Sequence, residues 1–134
     1  MHELGVAHEI LSLVQQHVPP ADAWRVTAVR VRVGDLAGIV VSSLDFCFGA
    51  IVAGTPWERA RLVVERVPAQ AACLDCVTVF PTDAPGAGCP HCGSARVHMT
   101  AGRELHVDAV DLLDEADGAS PPALADTAQE AVPV

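Results

Sequence analysis

The chain contains no lysine and no tyrosine, and aromatic residues make up only 4% of its 134 positions. Eight arginines face seventeen acidic residues, for a formal charge of -9. Nucleic-acid binders draw much of their affinity from cations that neutralise phosphates, and from aromatic rings that stack on bases. Both are scarce here, so the expectation is no nucleic-acid partner. The balance suits cations or basic protein surfaces instead. No apolar run reaches the roughly 18 residues that a membrane helix needs. The start, Met1-His2-Glu3, is not a basic stretch followed by an apolar one, so no export signal and no membrane association are expected. Phosphate loops, dinucleotide glycine motifs and Ser/His/Asp arrangements are also missing. The reading is therefore of a non-enzymatic protein.

What is present is cysteine in a tight pattern. Cys73-Leu-Asp-Cys76 and Cys89-Pro-His-Cys92 are two pairs separated by twelve residues. Each Cys-x-x-Cys turn can present two thiolates on one side of a loop, and two such loops can close a tetrahedron around Zn(II). Four thiolates leave no open coordination position, which argues for a structural site. A redox dithiol needs only one pair. Without an export signal, the cytoplasm is the expected compartment, where metal binding is favoured over disulfides. A loaded tetrathiolate zinc would add two further negative charges. Cys47 stands apart on an apolar pattern and reads as a small buried hydrophobe.

Periodicity organises the rest. Leu4, Ala7, Leu11, Val14 and Val18, with Ile10 beside them, predict a helix over 3–18, ended by Pro19-Pro20. Residues 24–33 read as a strand, with Val29, Val31 and Val33 on one face and Arg30 and Arg32 on a solvated one. Leu44, Cys47, Phe48 and Ile51 predict a helix over 43–53, with Ser42 and Asp45 as a capping pair and Gly54-Thr55-Pro56 as its stop. Residues 60–67 carry valine on both faces, which points to a central strand. Residues 103–110 return to strand alternation. The fold class expected is α+β: a small three-stranded sheet with two helices, plus an inserted zinc-ribbon-like β module. The domains expected are 1–67 with 103–114, a cysteine module at 68–102, and a disordered acidic tail at 115–134. The module is too poor in large apolar groups to fold without a metal.

The extreme N-terminus is a second candidate site. Histidine at position 2 is large, so Met1 should survive methionine aminopeptidase. The free α-amine, the His2 amide and the His2 imidazole can then form adjacent chelate rings. Glu3 can complete a plane through its amide nitrogen or carboxylate. Planar nitrogen sets with deprotonated amides favour Ni(II) or Cu(II). By itself the tripeptide is a weak pointer. His8, His17, His91 and His106 read as surface residues, and His98 is a further candidate if the cysteine module folds back.

Several motifs together resemble the HypA/HybF hydrogenase nickel-incorporation proteins. They are Met1-His2-Glu3-Leu4, Val33-Gly34-Asp35-Leu36-Ala37-Gly38, Leu44-Asp45-Phe46-Cys47-Phe48, Gly54-Thr55, Val67-Pro68, Cys89-Pro90-His91-Cys92-Gly93-Ser94 and Gly102-Arg103-Glu104-Leu105. The likeness spans Met1 to about Leu112. It implies Ni(II) as cargo, bound through Met1, His2 and Glu3, and structural Zn(II) on Cys73, Cys76, Cys89 and Cys92. It also implies a GTPase accessory protein of the nickel-insertion pathway and a hydrogenase large-subunit precursor as partners. Some members of that family also serve urease maturation. A monomer or weak homodimer is expected. Two positions depart from the family pattern: Gly5, where Ser or Thr is frequent, and Val77, where Gly is common.

Overall fold

A computed structural model describes residues 2–83, 86–114 and 132–134. Helix α1 covers Glu3–His17, and the chain crosses a 3₁₀ turn at Pro20–Arg25 into strand β1, Val26–Gly34. Helix α2, Val41–Val52, then leads to strand β2, Arg61–Val67. This β1-α2-β2 unit makes β1 and β2 parallel, as a helical crossover requires. The chain then builds a separate three-stranded sheet from β3 (Gln70–Cys73), β4 (Val79–Pro81) and β5 (Val97–Ala101), in the order β4-β3-β5. It returns as β6, Leu105–Leu112, antiparallel to β1. A two-residue strand β7, Val132–Pro133, pairs with β6, giving a first sheet of order β2-β1-β6-β7.

The core lies between this sheet and the two helices. Ala7, Ile10 and Val14 of α1 meet Leu44, Phe48 and Val52 of α2 over Val26, Val29, Val31 and Val33 of β1. The apolar face of α1 is centred on Ile10, while Leu4 at its start is more than half exposed. Phe48, Ile10 and Leu44 are almost fully buried. Removing a side chain of this size from water contributes about 1.5–3 kcal/mol each.

Three expectations are corrected. Strand β2 is an edge strand, and a central place belongs to β1, which pairs with β2 on one side and β6 on the other. The valines of β2 do not report two covered faces, because Val63 is exposed while Leu62 and Val64 pack on the core only partly. The arginines of β1 stand on the open face of a central strand, where Arg30 pairs with Asp111 at 2.7 Å and Arg32 approaches Glu65 at 3.6 Å. Ser42 does not cap α2. The helix begins two residues earlier than expected, at Val41, with Val40 in the cap position and no cap from its own side chain. Of the segment expected as a disordered tail, residues 115–131 lie outside the described residues, and Val132 and Pro133 pair with β6.

The two sheets meet at a close backbone crossing. A Cβ on Gly34 would sit 2.1 Å from the Gly102 carbonyl oxygen, and one on Gly102 would sit 2.7 Å from Ala69 Cα. Gly102 also has φ 120°, a backbone conformation that side chains disfavour. The approach is fixed by hydrogen bonds from Gly34 N–H to the Glu104 carbonyl and from Leu36 N–H to the Gly102 carbonyl, both 2.7 Å. Asp35 N–H donates to the Val67 carbonyl at 2.9 Å, and the Arg66 guanidinium reaches the Asp35 carboxylate at 3.0 Å. One turn after β1 thus holds both strands that connect to the cysteine module.

Candidate metal centre

The turn between β3 and β4 carries Cys73 and Cys76, and the loop before β5 carries Cys89 and Cys92. Both use the same backbone template. Cys73 N–H donates to the Thr78 carbonyl and Val77 N–H to the Cys73 carbonyl; Cys89 N–H donates to the Ser94 carbonyl and Gly93 N–H to the Cys89 carbonyl. The first sulfur of each pair is buried and accepts two backbone N–H groups. Asp75 and Cys76 donate to Cys73 Sγ at 3.3 and 3.4 Å, and His91 and Cys92 donate to Cys89 Sγ at 3.3 and 3.4 Å.

The four Sγ atoms lie within 4.8 Å of one another. Across the two turns, Cys73 and Cys92 are 3.6 Å apart and Cys76 and Cys89 are 3.7 Å apart. A tetrahedron with Zn–S bonds of about 2.3 Å has an edge of about 3.8 Å. These separations match that edge and are far from a disulfide bond, so the set fits a tetrahedral thiolate-bound ion. The remaining apolar support is small, with Ala71 and Phe80 buried beside the sulfurs and Val97 and Met99 packed partly against them.

The quartet is electrostatically uneven. A hydrogen bond with the Thr78 hydroxyl, reinforced by the Thr78 backbone, pulls the Cys76 thiol down to about 6. At Cys92 the Ser94 backbone also favours the thiolate, but the hydrogen bond to Cys73, loss of water and the other two sulfurs outweigh it and push that thiol up to about 12. Thr78 was not singled out from the sequence. Its signal was there: Thr78 and Ser94 both stand two residues after the second cysteine of a pair. Asp75 ties the turns together, hydrogen-bonded to the Ser94 hydroxyl and paired with Arg96 at 3.0 Å.

The N-terminal candidates fall elsewhere. Met1 lies outside the described residues. His2 occupies the cap position of α1, with its carbonyl accepting from Val6 N–H at 2.8 Å. The amide nitrogens of His2 and Glu3 therefore precede the first helical hydrogen bond and have no acceptor within the helix. The Glu3 carboxylate accepts the Val40 N–H at 2.9 Å, which tethers the start of α1 to the start of α2. That hydrogen bond, with a smaller one from its own N–H, holds the Glu3 carboxyl below its ordinary value. Val40, which sequence periodicity did not mark, is the residue that the structure adds here. His98 lies on β5, paired with Ala72 in the second sheet. Cys47 is half-buried against the core of the first sheet, apart from the quartet.

An α+β core joined to a closed four-thiolate centre defines a metal-binding protein whose cysteine site is built to hold an ion. Comparison with known proteins specifies it further. The family model described as "Hydrogenase/urease nickel incorporation, metallochaperone, hypA" matches residues 1–112. Similar proteins include the hydrogenase maturation factor HypA of Streptomyces avermitilis, 44% identical over 85% of this chain and 88% of the other. That of Geobacter sulfurreducens is 37% identical over 84% of this chain and 99% of the other. Among solved structures, a solution structure of HypA protein superposes with a TM-score of 0.63 at 25% identity, covering 86% of this chain and 98% of that one. The solution structure of the Ni metallochaperone HypA from Helicobacter pylori gives 0.58 at 25% identity, covering 86% and 100%. The chain belongs to the HypA family of nickel-incorporation metallochaperones.

Proposed function

We propose that this chain carries Ni(II) at its N-terminus, through Met1, His2 and Glu3, and delivers it during maturation of [NiFe]-hydrogenase. Zn(II) stays on Cys73, Cys76, Cys89 and Cys92 as a structural fixture. The carrying observation is the start of α1. The His2 and Glu3 amides have no helical acceptor, so a metal can replace their protons without breaking helix hydrogen bonds. Planar nitrogen coordination of this kind suits Ni(II) better than Zn(II). Because the Glu3 carboxylate already accepts from Val40, its amide nitrogen is the less costly donor. Ligands at a chain end can also be released one at a time, which suits a carrier.

The zinc reading rests on the sulfur separations and on four soft donors with no open position. When bound, zinc would supply charge neutralisation and cross-linking, not catalysis. The partners on this reading are a GTPase accessory protein and the hydrogenase large-subunit precursor, with urease maturation proteins as further recipients, all in the cytoplasm. Zinc loading and nickel binding are coupled through the turn after β1, which bonds Gly102 through Leu36 and Glu3 through Val40.

The test is metal titration of the full chain. One zinc should resist dialysis, and one nickel should bind in the wild type and be lost in His2→Ala, with zinc unchanged. Retention of nickel by His2→Ala would overturn the terminal site. Equal nickel affinity with and without zinc would overturn the coupling.

A further inference from the structure

The two cysteine turns share one backbone template but present different surfaces. At the position after the second cysteine, both adopt a left-handed backbone, φ 78° at Gly93 and φ 66° at Val77. Val77 is the only non-glycine residue with positive φ among the described residues. A β-branched side chain is strained there, and glycine is not. The second turn shows that the metal geometry is reached with glycine, so the isopropyl group of Val77 is not needed to place the sulfurs. Nor does it fill a core, since Val77 is 78% exposed. Leu74 in the same turn is 54% exposed and Val79, directly after it, 59%. The Cys73–Thr78 hydrogen bond closes the turn that carries Leu74 and Val77, and Val79 follows it directly. The matching positions of the second turn hold Pro90, Gly93 and Ala95. Strain kept at an exposed apolar residue, within a cluster of exposed apolar residues, marks a recognition surface rather than a packing one.

We propose that Leu74, Val77 and Val79 form a docking surface for a partner protein that offers an apolar anchor rimmed by Lys or Arg. The sign follows from the charge. The chain is at -9 and has no lysine, and the nearby acid Asp75 is already matched by Arg96. The tetrathiolate centre beneath the turn adds negative charge when loaded. A second copy of this chain would bring the same net charge and is disfavoured as the occupant. The proposal does not depend on the terminal nickel site.

The test uses the full zinc-loaded chain and two synthetic helical peptides with the same leucine face, one with a Lys/Arg polar face and the other with a Glu face. Backbone amide spectra should shift at residues 73–80 with the basic peptide and stay unchanged with the acidic one. Leu74→Ser and Val77→Gly should each weaken binding roughly five- to tenfold, as truncation of an interface anchor does. Metal content shows that each variant keeps its zinc, and His2→Ala should bind the peptide normally. Shifts that map elsewhere, unaltered binding by both variants, or equal binding of the acidic peptide would overturn the proposal. So would concentration-dependent shifts at 73–80 in the chain alone, which would make the occupant a second copy.

Discussion

Gly34→Ala should damage the junction between the two sheets. Its new Cβ would lie 2.1 Å from the Gly102 oxygen, 2.2 Å from the Gly102 carbon and 2.6 Å from the Arg103 nitrogen. All three are backbone atoms, so no side chain can rotate away. Restoring ordinary contact needs a backbone shift of about 1 Å, given that carbon rarely approaches oxygen within about 3 Å. That shift opens the bonds from Gly34 N–H to Glu104 and from Leu36 N–H to Gly102, now both at 2.7 Å. Leaving such groups unsatisfied costs about 1–3 kcal/mol for each bond. Against this stands a gain of about 0.4–1 kcal/mol, because alanine restricts the unfolded chain more than glycine does. The net expectation is a loss of about 1–5 kcal/mol, dominated by the lost bonds. Urea unfolding of the zinc-loaded protein measures it, and amide exchange at Leu36 locates it. A loss under about 1 kcal/mol, with Leu36 still protected, would refute the reasoning.

The other predictions concern the metal ends of the molecule. Val77→Gly should stabilise the zinc-loaded module by up to about 1 kcal/mol and Gly93→Ala should destabilise it by about 1–2 kcal/mol, the mirror changes at matched left-handed positions; comparison of their thermal midpoints checks the pair. Chelation of the zinc should unfold the second sheet and leave the first intact, visible as loss of amide dispersion confined to residues 70–101, because Ala71, Cys73, Phe80 and Cys89 make up its buried core. Zinc loading at pH 7 should release about four protons, because the Cys76–Thr78 contact exists only in the folded module and thiols of the unfolded one have an ordinary value of about 8.5; calorimetry in buffers of different ionisation enthalpy counts them. A group whose folded-state value is lowered stabilises the fold above its ordinary value and ceases to do so as pH falls through the lowered one. The tether from Glu3 to Val40 follows the same sign. It holds above the ordinary carboxyl value of 4.5 and weakens as the acid protonates, so Val40 amide exchange should speed up relative to Val29 on acidification and in Glu3→Ala.

Spacing and periodicity alone determined much of this protein. Two Cys-x-x-Cys turns are local objects whose sulfur geometry follows from a few backbone torsions, so the quartet could be read before any fold was known. The helices over 3–17 and 41–52 follow from apolar residues at helical intervals, which depend only on near neighbours. Valine on both sides of 61–67 misled, because whether a strand is central depends on which segment lies beside it, and β1 takes that place. Capping misled for the same reason, since the acceptor at the start of α2 comes from Glu3, far away in sequence. Tertiary structure decided three further matters: the glycine crossing that binds the two sheets, the tether from Glu3 to Val40, and the exposure of a left-handed Val77. Each depends on the distance or solvent access of groups that sequence order does not relate, and only the folded chain sets those.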